Sequence, residues 1–301
     1  MIEVIYDGNL GNNLFQYCFA RILAETLGYR LVARPIPGFP RTYDVVDGAY
    51  YPDAEMIILR GQKPNLSFLN EAKPEYYILL TGYFQRYEYY QSYSKIIKQW
   101  LTTDKELSNM SVDEYDVVVG IRRGRDYIPR HGLPISYYEN ALSLLKPNRV
   151  FICTDVPSDP FVKHLQRRYN ATIRSPGALD NLLFIKEFDK IIISNSTFLW
   201  WAAFLSDATK IIFPRPANGY WSHNDILSKN MALEVDESRY IYLECEQYRS
   251  EFFAEQLANL TDKLNAELRR GLKKSLPFSR SRSQPCDIDN RYIFSEDFDG
   301  E

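Results

Sequence analysis

Cysteine and histidine are scarce in this chain, with four of the first and three of the second in 301 residues. Cys18, Cys153, Cys245 and Cys286 are widely separated and lack the paired spacing of zinc ligands, so no metal site is expected. The same spacing argues against a disulfide scaffold and for reduced, mostly buried thiols of a cytosolic protein. No stretch approaches the ~18 apolar residues of a membrane span. The amino terminus, Met1-Ile2-Glu3-Val4-Ile5-Tyr6-Asp7, enters strand-like sequence with no basic, cleavable leader. A cytoplasmic location is the expectation. An excess of basic residues is also missing: the formal charge is −3, which argues against a nucleic-acid partner. Internal repeats and coiled-coil heptads are absent.

What is present reads as a globular α/β protein. Hydrophobic residues make up 45% and charged residues 25%, as in soluble domains, and the length favours two of them. Met1–Tyr6 reads as a strand, Gly8–Asn13 as a turn, Leu14–Gly28 as a helix with Gly28 as its stop, and Tyr29–Arg34 as a second strand. Residues 35–75, rich in Pro and Gly, read as irregular. Tyr76–Tyr83 is a strand and Glu88–Leu101 a helix; the polar stretch 102–114 is the expected domain boundary. Strands then alternate with helices: strands at 117–121, 150–154, 171–174, 191–194 and 210–213, helices at 160–169, 180–187 and 198–205. Such alternation implies parallel sheets covered on both faces. A long helix over Phe252–Lys274 and a polar, loosely held tail complete the chain. Much of the excess among the 23 tyrosines lies in 76–93, where half-buried packing explains them better than sugar stacking.

Chemistry is suggested at three strand ends. The apolar run Val117-Val118-Val119-Gly120-Ile121 ends in Arg122, Arg123, Gly124, Arg125 and Asp126. In open α/β sheets ligands bind beyond the carboxyl ends of strands, and arginines there suit a phosphate-bearing group. A solvated Arg/Asp turn is the plain alternative. Thr154-Asp155 ends a second strand, where Asp155 suits either a turn or the N–H and amino edge of a guanine. Ser194-Asn195-Ser196-Thr197 ends a third and leads into a helix, whose free N–H groups favour an anion even though these residues are also ordinary N-caps. Arg122 on a neighbouring strand tips that balance towards a diphosphate site. The Gly8-Asn9-Leu10-Gly11 turn lacks the third glycine of a dinucleotide loop.

Three segments carry a resemblance. Gly8-Asn9-Leu10-Gly11-Asn12-Asn13-Leu14-Phe15-Gln16-Tyr17 resembles the Gly-Gly-Leu-Gly-Asn-Gln-Leu/Met-Phe-Gln-Tyr opening of bacterial α-1,2-fucosyltransferases, glycosyltransferase family 11. Ile121-Arg122-Arg123-Gly124-Arg125-Asp126-Tyr127 is similar to that family's His-x-Arg-Arg-Gly-Asp-Tyr motif. The segment from Ser194 to Leu205 resembles its Asn-Ser-Ser/Thr-Phe-Ser-Trp-Trp-Gly/Ala-Ala-x-Leu segment. His131-Gly132, Tyr137-Tyr138 and Ala141 follow the family pattern in the same order, and the resemblance spans roughly residues 1 to 221.

The resemblance implies a GT-B enzyme of two Rossmann-like domains facing a cleft, an acceptor-side domain over 1–110 and a GDP-sugar domain over 111–245, followed by a helix over 246–275 and a tail over 276–301. It implies transfer of fucose from GDP-fucose, with inversion and without a divalent metal or other cofactor, to an acceptor oligosaccharide or glycoconjugate, α-1,2 to galactose. A lipid-linked acceptor would make the enzyme peripheral to a membrane. Arg122 would neutralise the diphosphate; Ser194, Asn195, Ser196 and Thr197 would hold phosphate oxygens and Asp155 the guanine, with Arg123 and Thr154 also among the donor-binding residues. Gly11 and Asn12 would come from the amino-terminal domain. Asp126 and His131 are the candidate bases. Gly120 stands where the family has His, and Arg125 is an extra residue before Asp126.

Overall fold

The computed structural model describes residues 1–44, 46–51, 53–70, 75–105, 111–124 and 131–246, all inside one compact unit, Met1–Arg249. Arg125, Asp126 and Tyr127 lie outside the described residues, as do the expected helix at Phe252–Lys274 and the tail after it.

The fold is α/β, with parallel sheets flanked by helices. The first sheet takes β1 (Ile2–Val4), β2 (Leu31–Val32), β3 (Glu55–Leu59) and β4 (Tyr76–Leu80) in the order β2-β1-β4-β3. The second takes β5 (Val117–Ile121), β6 (Val150–Thr154), β7 (Thr172–Arg174), β8 (Lys190–Ile192), β9 (Lys210–Pro216) and β10 (Tyr240–Cys245) in the order β10-β9-β8-β5-β6-β7. Every described pair of strands is parallel. The helices are α1 (Leu10–Leu27), α2 (Ser94–Trp100), α3 (Ile135–Leu145), α4 (Pro160–Tyr169), α5 (Ala178–Ile185), α6 (Thr197–Leu205) and α7 (His223–Ser228).

Burial on both faces explains the uninterrupted apolar strands of the second sheet. Val117, Val119 and Ile121 of β5, with Val150 and Ile152 of β6, share a core with α3 and α4. Their alternates Val118, Phe151 and Ile191 face the other way, into a core holding α5, α6 and also α1. That second core is continuous between the two sheets. Phe15 of α1 packs on Trp200 and Trp201 of α6, with ring centroids 4.8 and 4.9 Å apart. Trp200 donates its indole N–H to the Leu233 carbonyl at 2.8 Å, so the paired tryptophans are structural anchors.

Three expectations are corrected. Helix α1 begins at Leu10, four residues before Leu14, because Gly8 (φ 80°) turns the chain out of β1 and Asn9 serves as N-cap. Its end at Gly28, φ 67°, is as expected. The stretch 35–75 contains the edge strand β3, whose exposed positions Met56 and Ile58 are apolar like the inward Ile57 and Leu59, so the sequence shows no apolar/polar alternation there. The helix expected over 88–101 is confined to Ser94–Trp100 after two short 3₁₀ turns. Tyr90 is drawn inward there, its hydroxyl donating to the carbonyls of Phe84 (2.7 Å) and Phe15 (3.2 Å).

Candidate functional site

The carboxyl edge of the second sheet and the start of α1 enclose a cavity of about 640 Å³, the size of a small-ligand site. Arg122 leaves the end of β5, and Thr154 and Asp155 the end of β6; Ser175, Gly177, Ala178 and Asn181 follow β7 into α5. Ser196, Thr197, Phe198 and Leu199 open α6, and Asn9 to Asn12 open α1. Of the residues proposed from sequence, Gly11, Asn12, Arg122, Thr154, Asp155, Ser196 and Thr197 therefore line one space.

Arg122 and Asp155 form an ion pair across the ends of β5 and β6, their side chains 32% and 24% exposed. The other carboxylate oxygen of Asp155 accepts the Arg123 backbone N–H at 2.9 Å. Both oxygens are thus engaged with the arginine strand end, and Asp155 orients Arg122 at the edge of the cavity. Thr154 accepts the Val156 N–H on its hydroxyl (3.2 Å), tightening the same turn.

Three helix starts converge on the cavity. None of α1, α5 and α6 has a side chain capping its first turn, and α1 and α6 carry no acidic residue there. The free N–H groups and dipoles of α1 and α6 favour an anion beside Arg122. The approach of α1 to α6 is close: a Cβ on Gly11 would lie 2.4 Å from the Phe198 nitrogen. Asn12 ties the two helices, its Oδ1 accepting from Thr197 Oγ1 (3.0 Å) and Gln85 Nε2 (3.1 Å).

Arg123, Ser194, Asn195 and His131 do not line the cavity. Arg123 is buried, donates Nε to Asp159 at 3.1 Å and lies over the Phe161 ring at 4.0 Å; its packing explains it, and it does not line the cavity. Ser194 continues the ladder between β8 and β5, its N–H bonding the Gly120 carbonyl at 3.1 Å. Asn195 is also buried, and its Nδ2 donates to the carbonyls of His131 (2.9 Å) and Tyr220 (3.0 Å). It clamps two loops. The His131 ring lies 4.5 Å from that of Tyr220, which lines the cavity although His131 does not. Asp126 is outside the described residues.

A family model described as Glycosyl transferase family 11 matches residues 51–234, more than half of the chain. The chain belongs to glycosyl transferase family 11. This is a family of fucosyltransferases, and the matched span contains Arg122, Asp155 and the opening of α6, while the Gly8–Tyr17 segment precedes it. Among solved structures the chain is similar to E. coli ADP-heptose lps heptosyltransferase II, at 11% identity over 79% of this chain and 92% of that one, with a TM-score of 0.34. No curated protein matches its sequence.

One departure from the quoted family 11 motif, Gly120, packs directly against Leu199. Gly120 replaces a His, and Leu199 stands where the family pattern has Ser. A Cβ on Gly120 would sit 2.4 Å from Leu199 Cδ2, so Leu199 fills the space a side chain at 120 would take. The cavity has an apolar wall there. Cys153 lies nearby, its thiol pushed up to about 12 by burial, which keeps it protonated and inert at neutral pH. Among the described residues no group of three or more His, Cys, Asp and Glu is gathered for a metal, and no helix is long and apolar enough to cross a membrane. Sequence reasoning missed Ser175, Asn181 and Tyr220, which no motif marks.

Proposed function

We propose that this family 11 member moves L-fucose from GDP-fucose to a hydroxyl of an acceptor glycan, α-1,2 to galactose, with inversion and without a divalent ion. The observation that carries the reading is Arg122 facing a cavity of nucleotide-sugar size on which three uncapped helix starts converge. In the reaction the acceptor oxygen forms a bond to the fucosyl anomeric carbon while the bond from that carbon to the diphosphate oxygen breaks. The electron pair leaves with GDP. Arg122 and the helix N–H groups stabilise the charge that grows there, which is where fixed donors act most strongly. The acceptor proton passes to a base on the opposite face, for which Asp126 and His131 are the candidates.

The test is release of GDP from GDP-fucose over a panel of galactose-terminated acceptors, with and without a chelator. Arg122→Ala is expected to lower turnover by about 10²–10³ or more, since one charge-stabilising donor commonly supplies that much, and because Asp155 is left facing the diphosphate without its cation. Near-normal turnover in that variant refutes the role. Chelator-sensitive turnover refutes the metal-free mechanism.

A further inference from the structure

A chain of side-chain amides leads to the wall of the cavity. Gln85 follows β4 and is only 4% exposed. Its backbone N–H donates to Gln62 Oε1 at 2.6 Å, and Gln62 Nε2 donates to Gln85 Oε1 at 3.3 Å. Gln85 Nε2 then donates to Asn12 Oδ1 at 3.1 Å, where Thr197 Oγ1 also donates at 3.0 Å. Asn12 lines the cavity together with Thr197 and Arg122.

The direction of this chain is fixed at its far end. An amide can be turned over, exchanging its oxygen and nitrogen, but a backbone N–H can only donate. The Gln85 N–H therefore holds Gln62 by its oxygen, which leaves Gln62 Nε2 to meet Gln85 Oε1. Gln85 has only Nε2 left for Asn12, and that donor claims Asn12 Oδ1. With Oδ1 filled by two donors, Asn12 keeps its Nδ2 for a ligand. That nitrogen donates to no group among the described residues and is not sealed from solvent.

We propose that Gln85 is a positioning residue, which by holding Asn12 Oδ1 presents the Asn12 amide nitrogen to an anion bound beside Arg122. Asn12 then donates to the diphosphate next to the first N–H groups of α6, the helix that Thr197 opens. This rests on the reading of the cavity as a diphosphate site. Turned over, the same amide would present an oxygen and repel the ligand it otherwise binds.

Calorimetry on the full chain, with GDP and with inorganic pyrophosphate, tests it in wild type, Gln85→Met, Gln85→Glu, Asn12→Ala and the Gln85→Met/Asn12→Ala double variant. Gln85→Met removes the donor at nearly constant length. Gln85→Glu replaces it with a carboxylate that only accepts, drawing in Asn12 Nδ2 and turning Oδ1 outwards. Affinity for both ligands is expected to fall about tenfold in Gln85→Met, as for one hydrogen bond to a charged group, and further in Gln85→Glu. With Asn12→Ala already in place, Gln85→Met is expected to cost nothing more, because its effect passes through that amide. An equal loss with and without Asn12 overturns the proposal, since it marks a role in packing alone. Unchanged affinity in Gln85→Glu, which keeps an acceptor for Gln62, overturns it even where Gln85→Met fails to fold. A loss confined to GDP overturns it as well, by placing the amide on the nucleoside. A wild-type protein that binds neither ligand overturns the diphosphate reading, and this inference with it.

Discussion

Position 120 shows how a single residue can look like a defect and be half of an exchange. A glycine in β5 in place of a family histidine suggests a lost function when read alone. In space, Leu199 reaches to 2.4 Å from where a Cβ would stand, and Leu199 itself replaces a family serine. Leu199 therefore occupies the volume a side chain at 120 would need, as close packing demands. Gly120→His alone is therefore expected to destabilise the protein through overpacking, and Leu199→Ser alone through a cavity and a buried hydroxyl. Combined, they should recover at least ~1 kcal/mol of the summed loss, as contacting residues do. Urea denaturation of the four proteins measures this, and strictly additive losses would break the proposed pairing.

At the scale of elements, β5 and β6 are tied at both ends by an arginine and an aspartate. Arg122 and Asp155 close the carboxyl end, where the ligand cavity lies. At the other end Asp116, fully buried, accepts Arg149 Nε at 2.9 Å and the Asp113 N–H at 2.9 Å. Burial alone would raise the Asp116 carboxyl, but the hydrogen bonds from Arg149 and Asp113 prevail and hold it below the usual value. A lowered folded pKa gives stability that is present above the unfolded value near 4 and is lost as pH falls through the folded one. Asp116→Asn should thus cost about 1–3 kcal/mol at pH 7, and less at pH 3. Denaturation curves at the two pH values check the sign; a difference that grows on acidification would contradict it.

These ties also mark the limit of what sequence reveals. The strand ends at Arg122 and Ser194–Thr197 are legible because their chemistry is local: an apolar run, then polar residues, then a helix. The partner of Arg122 is not, because it depends on a register that sets Ile121 beside Thr154, over thirty residues away. Strand β3 escapes for a different reason, since its exposed Met56 and Ile58 are apolar like its inward residues and leave no apolar/polar alternation. Arg123, beside Arg122 in the motif, faces Asp159 and Phe161, contacts over thirty residues away that the motif does not announce.

Across the whole molecule, the cavity depends on how near α1 comes to α6, and Gly11 sets that distance. The glycine lies inside a helix, where alanine is intrinsically favoured by up to ~1 kcal/mol, so any loss on substitution must come from contact. An added Cβ would meet Phe198 N at 2.4 Å and Thr197 C at 2.6 Å, both backbone atoms that no side-chain rotation can move. The helices would have to part, pulling Asn12 Oδ1 from Thr197 and unpacking Phe15 from the paired tryptophans. Gly11→Ala is accordingly expected to lower stability by about 1–3 kcal/mol and, on the proposed function, to weaken GDP binding, because the starts of α1 and α6 at the cavity separate. Thermal melting and calorimetry on the same samples give both numbers. A variant as stable as wild type would mean that the two helices do not meet as closely as this packing requires.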